Sequence, residues 1–105
     1  MSNTLELPST CIIPAFVRSN KNLPDAAKIY YGELFVLASK FGYCFATDEQ
    51  LSKMKEVSIG TIERWNLLLE DEGLINRCTR SVPIENADGK FNFKKTRRIF
   101  VNNHP

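Results

Sequence analysis

The chain has 105 residues, enough for one domain around one core, and an apolar share of 43% argues against disorder. No apolar run reaches the length of a bilayer span and no basic stretch plus apolar segment opens the chain, so the expectation is a cytoplasmic protein that meets no membrane. The formal net charge of +2 by itself identifies no partner, and three widely spaced cysteines with no C-x-x-C pair give no support to a zinc or redox motif.

Residues 1–20 read as an N-terminal arm. The first ten carry no periodicity, and Cys11-Ile12-Ile13-Pro14-Ala15-Phe16-Val17 is short, apolar and interrupted by proline, which suits an edge strand or an extended arm packed on the body. Asn20 to Asn22 read as a turn, and a domain is expected over 21–101. Pro24 fits the first helical position, and Asp25 favours the positive end of the helix dipole. Ala27, Tyr30, Tyr31, Leu34, Ala38 and Phe41 then repeat at three and four residues, one stripe of the longest helix, with Lys40 in its last turn and Gly42 just past its end. Tyr43-Cys44-Phe45-Ala46 is a short strand or extended link.

Thr47 and Gln50 have the spacing of a capping box ahead of a short helix marked by Leu51 and Met54. The helix breaks at Lys55-Glu56-Val57. Ser58 is a second N-cap, and Ile62, Trp65 and Leu69 fall on one face behind it. Gly73 suits the left-handed residue that closes such a helix. Leu74 to Ile84 reads as a strand, Asn86-Ala87-Asp88-Gly89 as a hairpin turn, and Phe91 to Val101 as the second strand. In that strand Phe91, Phe93, Ile99 and Val101 share one alternation phase with Lys95 and Arg97. Either the strand is bulged near Lys95, or its middle extends past the edge of the core. Residues 102–105 are a tail. The expected class is α+β, a winged helix-turn-helix with a three-helix core and a C-terminal β-hairpin wing.

Charge is unevenly distributed. Residues 1–76 hold seven basic and ten acidic side chains, whereas 77–98 hold seven basic ones against Glu85 and Asp88. Such an asymmetry is expected where one edge of a domain meets phosphates, although a charged hairpin also keeps an edge strand from pairing with other chains. Double-stranded DNA is therefore the expected partner, with no cofactor and no metal. The exposed face of the second capped helix offers Ser58, Ile59, Gly60, Thr61, Glu63 and Arg64. Ser58 and its neighbouring N–H groups suit a phosphate, and Arg64 suits a bidentate contact to guanine. Glu63 accepts from cytosine or forms a surface ion pair. In the hairpin Arg77, Arg80, Lys90, Lys94, Lys95 and Arg98 are the expected backbone contacts. Catalysis is not expected: the only histidine is His104, no Gly-rich phosphate loop is present, and no pair of carboxylates is placed to converge.

Several segments resemble the N-terminal helix-turn-helix domain of replication initiator (replisome organiser) proteins of phages and plasmids of Gram-positive bacteria. They are Ile13-Pro14-Ala15-Phe16-Val17-Arg18, Leu23-Pro24, the run from Ala27 to Leu34, Gly42-Tyr43-Cys44-Phe45-Ala46, Val57-Ser58 through Trp65, Glu72-Gly73-Leu74-Ile75 and Arg97-Arg98-Ile99-Phe100-Val101. The resemblance implies binding to repeated sites at a replication origin and contact with helicase-loading proteins. Related domains usually carry Gly where this chain has Glu56, which implies a different turn, and their recognition helices are richer in Lys and Arg. A homodimer through the 11–18 arm or the long helix is a further expectation. Two alternatives stay open: a transcription regulator of the same fold, and a winged-helix module for protein interaction or dimerisation.

Overall fold

A single buried helical stripe organises the molecule. The computed structural model describes residues 8–103. Most of the expected arm over residues 1–10, and the end of the tail with His104, lie outside them. Helices α1 (Ala15–Arg18), α2 (Asp25–Ala38), α3 (Asp48–Lys55) and α4 (Ile59–Asp71) precede strands β1 (Ile75–Glu85) and β2 (Phe91–Val101), an α+β order. Tyr30, Tyr31 and Leu34 of α2 are fully buried against Leu51 of α3, Ile62 and Leu69 of α4, and Ile75 and Ile99 of the strands. Burying each such aliphatic side chain contributes about 1.5–3 kcal/mol, so these contacts rather than helix propensity hold the helices. Tyr30 and Trp65 pack with ring centroids 5.3 Å apart, which places Trp65 in the core.

The N-terminal segment forms no edge strand. Residues 15–18 make one helical turn and Val17 is fully buried. The segment before it lies across α2, where Ile12 N–H donates to the Gly32 carbonyl at 3.3 Å. A helix offers few free backbone groups in mid-span, so the arm packs on α2 without building a sheet. Gly32 permits this approach. A Cβ there would collide with Cys11 Sγ and lie 2.9 Å from Ile13 Cγ1 and 3.0 Å from the Ile12 carbonyl.

The helix ends differ in detail from expectation. Pro24 is the N-cap of α2, one position before the first helical residue, and α2 stops at Ala38. Lys40 therefore lies beyond the last turn. Phe41 leaves the buried stripe, is 62% exposed and packs against Phe45. Further on, the capping box at Thr47 and Gln50 is complete in both directions. Glu56 closes α3 at φ 56°, ψ 43°, so the turn keeps its left-handed residue without glycine. That strain costs about 1 kcal/mol. Ser58 caps α4 through Thr61 N–H, and Gly73 at φ 72° turns the chain into β1.

The strands pair antiparallel without interruption, from Ile75 opposite Val101 to Glu85 opposite Phe91. There is no bulge near Lys95. Of the two readings of the phase conflict, the second holds: the hairpin runs beyond the core. Only its base is anchored, where Cys44 exchanges two backbone hydrogen bonds of 2.8 Å with Ile99. The seven residues of β1 from Thr79 outward span ~23 Å, and the molecule is correspondingly elongated at 54 × 27 × 26 Å. No helix among the described residues is long and apolar enough to cross a membrane.

Candidate functional site

The start of α4 stands open at the surface. Ser58, Ile59, Gly60 and Arg64 are all exposed. The cap consumes part of the local bonding capacity: Ser58 Oγ accepts from Thr61 N–H at 3.1 Å and lies 2.9 Å from Thr61 Oγ1. The Ser58 carbonyl accepts from Thr61 and Ile62 N–H. The amides of Ile59 and Gly60 make no internal hydrogen bond among the described residues. They point out of the positive end of a 13-residue helix, where an anion is favoured. A Cβ on Gly60 would meet nothing closer than Ser58 Oγ at 3.9 Å, so the approach is open. Arg64 makes no ion pair among the described residues.

A shallow groove of about 480 Å³ separates this helix start from the hairpin. Thr47, Asp48 and Glu49 of α3 wall one side, Ile59 another, and Thr79, Lys95, Thr96 and Arg97 the third. The groove is mixed in charge, because Glu49 brings a carboxylate to it.

Two of the hairpin's seven cations are consumed by the body. Arg77 donates through Nη1 to Glu63 at 2.8 Å and through Nε and Nη2 to Glu70. The two carboxylates, Glu63 first, hold its guanidinium more firmly protonated than usual. Glu63 and Arg77, both expected at the DNA, are thus bound to each other, and Glu63 takes the ion-pair option. Arg97 turns inward and donates to Asp48 Oδ1 at 2.6 Å and to the Ala46 carbonyl at 2.8 Å. Its Nε is buried with no partner among the described residues.

Arg97 belongs to a chain of polar groups that crosses the core. Tyr30 Oη donates to Asn66 Oδ1 at 2.6 Å, and Asn66 Nδ2 donates to Asp48 Oδ1 at 3.3 Å. Burial, and then the Asp48 carboxylate, push the Tyr30 phenol well above its ordinary value, so it stays a donor. Asn66 is fully buried. Sequence reasoning missed it, although the signal was present: Asn66 lies on the same helical face as Ile62 and Leu69. Glu33, buried on the stripe of α2, was missed for the same reason and is paired with Lys55.

The remaining hairpin cations are free or differently used. Arg80, Lys90, Lys94 and Lys95 are exposed and form no ion pair among the described residues. The Arg98 guanidinium lies 4.5 Å above the Tyr43 ring, a cation–π contact that leaves its charge in place. The structure therefore brings Ile59 and Lys95 to one groove, with Ser58 and Gly60 beside Ile59 at the helix start, Thr61 engaged in the cap and Arg64 exposed further along α4. Arg80 and Lys94 lie on the opposite hairpin face, because residues directly paired across the strands share a face and Val82 opposes Lys94. Among the described residues no three His, Cys, Asp or Glu side chains are placed to hold a metal ion. No family model, no curated protein and no solved structure matches the chain.

Proposed function

We propose that this chain is a winged helix-turn-helix that binds double-stranded DNA, with the start of α4 in the major groove and the hairpin on the flanking backbone. The observation that carries the reading is the pairing of two features, which meet where Lys95 lines one groove with Ile59. One is an open helix start with two unbonded amides and a free Arg64. The other is a projecting hairpin whose outer cations form no ion pair among the described residues. Phosphates favour both features, and Arg64 supplies the base-reading group. Neutralisation of Arg77 and Arg97 removes two charges that simple counting assigns to the interface. The contact is therefore modest in size: Lys95 stands beside the start of α4, whereas Arg80, Lys94 and Arg98 lie on the other hairpin face and reach only flanking backbone.

The resemblance to replication initiators makes origin repeats the first DNA to try, and helicase-loading proteins the first protein partners. The rival reading, protein docking through the acidic end of α4, is weakened by two contacts. Glu70 is bound to Arg77, and Glu72 accepts from Asn20 at 2.7 Å and Asn22 at 3.2 Å. The test is fluorescence anisotropy on duplex DNA across a salt series. Binding should fall log-linearly, with a slope corresponding to roughly four to six phosphate contacts. Arg64→Ala should level affinity between preferred and random sequences. An equal loss on every sequence would remove Arg64 from base reading, and no binding at low salt would remove DNA altogether.

A further inference from the structure

The far end of the hairpin carries aromatic side chains that the fold does not use. Phe91 is 65% exposed and Phe93 71% exposed, and neither touches the core. Both lie on the hairpin face that also carries Lys95 and Arg97 and, nearer the body, the buried Ile99. That face lines the groove beside Ile59. A duplex seated against the start of α4 would therefore run along the face that presents Lys95, then Phe93, then Phe91. Opposite them on β1 stand Pro83 and Glu85, so no aromatic partner covers the rings from within the hairpin. Cations bracket the pair in sequence, as Lys90-Phe91-Asn92-Phe93-Lys94-Lys95.

Spacing fits as well. From Arg97, at the groove, to Phe91 is six steps along the strand, ~20 Å. A major groove and the adjacent minor groove are separated by about half a helical turn, ~17 Å. The hairpin is thus long enough to carry its end from the edge of the α4 contact into the next minor groove. Pro83 removes a donor from β1, which disfavours the pairing of another strand along that edge.

Resting on the DNA-binding reading above, we infer that the hairpin end enters the minor groove and that Phe91, supported by Phe93, wedges between adjacent base pairs and bends the duplex. Exposed aromatic rings flanked by lysines are suited to this. The lysines neutralise the phosphates that wall the groove, and the ring replaces part of the stacking that it disrupts. The bend brings the duplex ends toward the protein, so Arg80 and Lys94 on the outer hairpin face gain phosphates that a straight duplex holds away.

The test uses the whole chain and a short duplex carrying a fluorophore at each end, with 2-aminopurine at successive positions of the flanking minor groove. Wild-type protein should raise energy transfer between the ends and brighten 2-aminopurine at one step. Phe91→Ala/Phe93→Ala should keep its circular dichroism melt, because both rings are exposed. It should bind with about tenfold lower affinity and lose both optical signals. Phe91→Leu, which keeps an apolar wedge, should restore most of the bend. Equal energy transfer for wild type and the double variant, or no 2-aminopurine response at any step, overturns the wedge while leaving duplex binding intact. Tighter binding of wild type to oligo(dT) than to duplex overturns it in favour of stacking on a single strand. Absence of any duplex binding removes the wedge together with the reading beneath it.

Discussion

The base and the far end of the hairpin share one backbone register and obey different rules. At the base, Arg77 and Arg97 point at the body and each is held by carboxylates of the helices. At the far end Arg80, Lys90, Lys94 and Lys95 carry the same charge type on the same hairpin and form no ion pair among the described residues. The difference is one of reach. Within the first few pairs β1 packs on α4 and β2 on α2, where an unpaired charge would be desolvated and costly, so carboxylates meet it. Beyond Thr79 the strands leave the core, and their exposed charges cost little to leave in water. A cation's position along the hairpin and the face it occupies together decide whether it anchors the fold: Arg98, nearer the base than Arg97 but on the other face, stacks on Tyr43 instead.

The largest expected effect comes from breaking the anchor. Asp48→Ala leaves Arg97 and Asn66 without their shared acceptor. Because both partners of the pair keep some solvent exposure, the cost should be about 2–3 kcal/mol rather than the full penalty of a buried unpaired charge. Urea titration measures it, and a loss under about 0.5 kcal/mol, the range of ordinary surface substitutions, would show that the polar chain is not an anchor. Arg77→Ala should cost less, about 1 kcal/mol, since it bridges carboxylates on a more exposed helix face.

At the far end the expectation inverts. Lys94→Ala should leave the urea midpoint nearly unchanged and lower the salt slope of duplex binding by about one. A stability loss comparable to that of Arg77→Ala would erase the distinction between the two halves. Glu49→Gln, at the groove between them, should tighten duplex binding about two- to fivefold at low salt and have no effect at high salt, because it removes a carboxylate facing the same phosphates. An unchanged affinity at low salt would place the duplex elsewhere.

Much of this division could be read in the residues. Thr47 with Gln50, Ser58, and the apolar spacing of Ile62, Trp65 and Leu69 define α3 and α4 because capping and helical periodicity are local. The phase of β2 also held the clue to its geometry: Arg97 shares the inward side with Ile99, which a strand tolerates only with a partner or beyond the core. Which of the two applied at each position could not be read locally. Asp48 lies 49 residues from Arg97 and Glu63 lies 14 residues from Arg77, and these pairings form only through packing. The same is true of the arm. Its proline-broken apolar run suggested a strand, but Gly32 offers it a flat seat on a helix.

A third anchorage, wholly at the surface, gives the smallest effect and the cleanest sign. Glu72, beyond the end of α4, accepts hydrogen bonds from Asn20 and Asn22, and these, Asn20 first, hold its carboxyl below the ordinary glutamate value of 4.5. The unfolded chain therefore binds this proton more readily than the folded one. Its contribution to stability is present above pH 4.5 and is lost as pH falls through the lower folded value. Glu72→Gln should lower the melting temperature slightly at pH 7, and the gap to wild type should close as pH falls below 4.5, so that the variant has the shallower acid limb. Parallel acid limbs for the two proteins would mean that the carboxylate is solvated in both states. The turn at 20–22 would then rest on its apolar neighbours Val17 and Leu23, both of which are buried in the core.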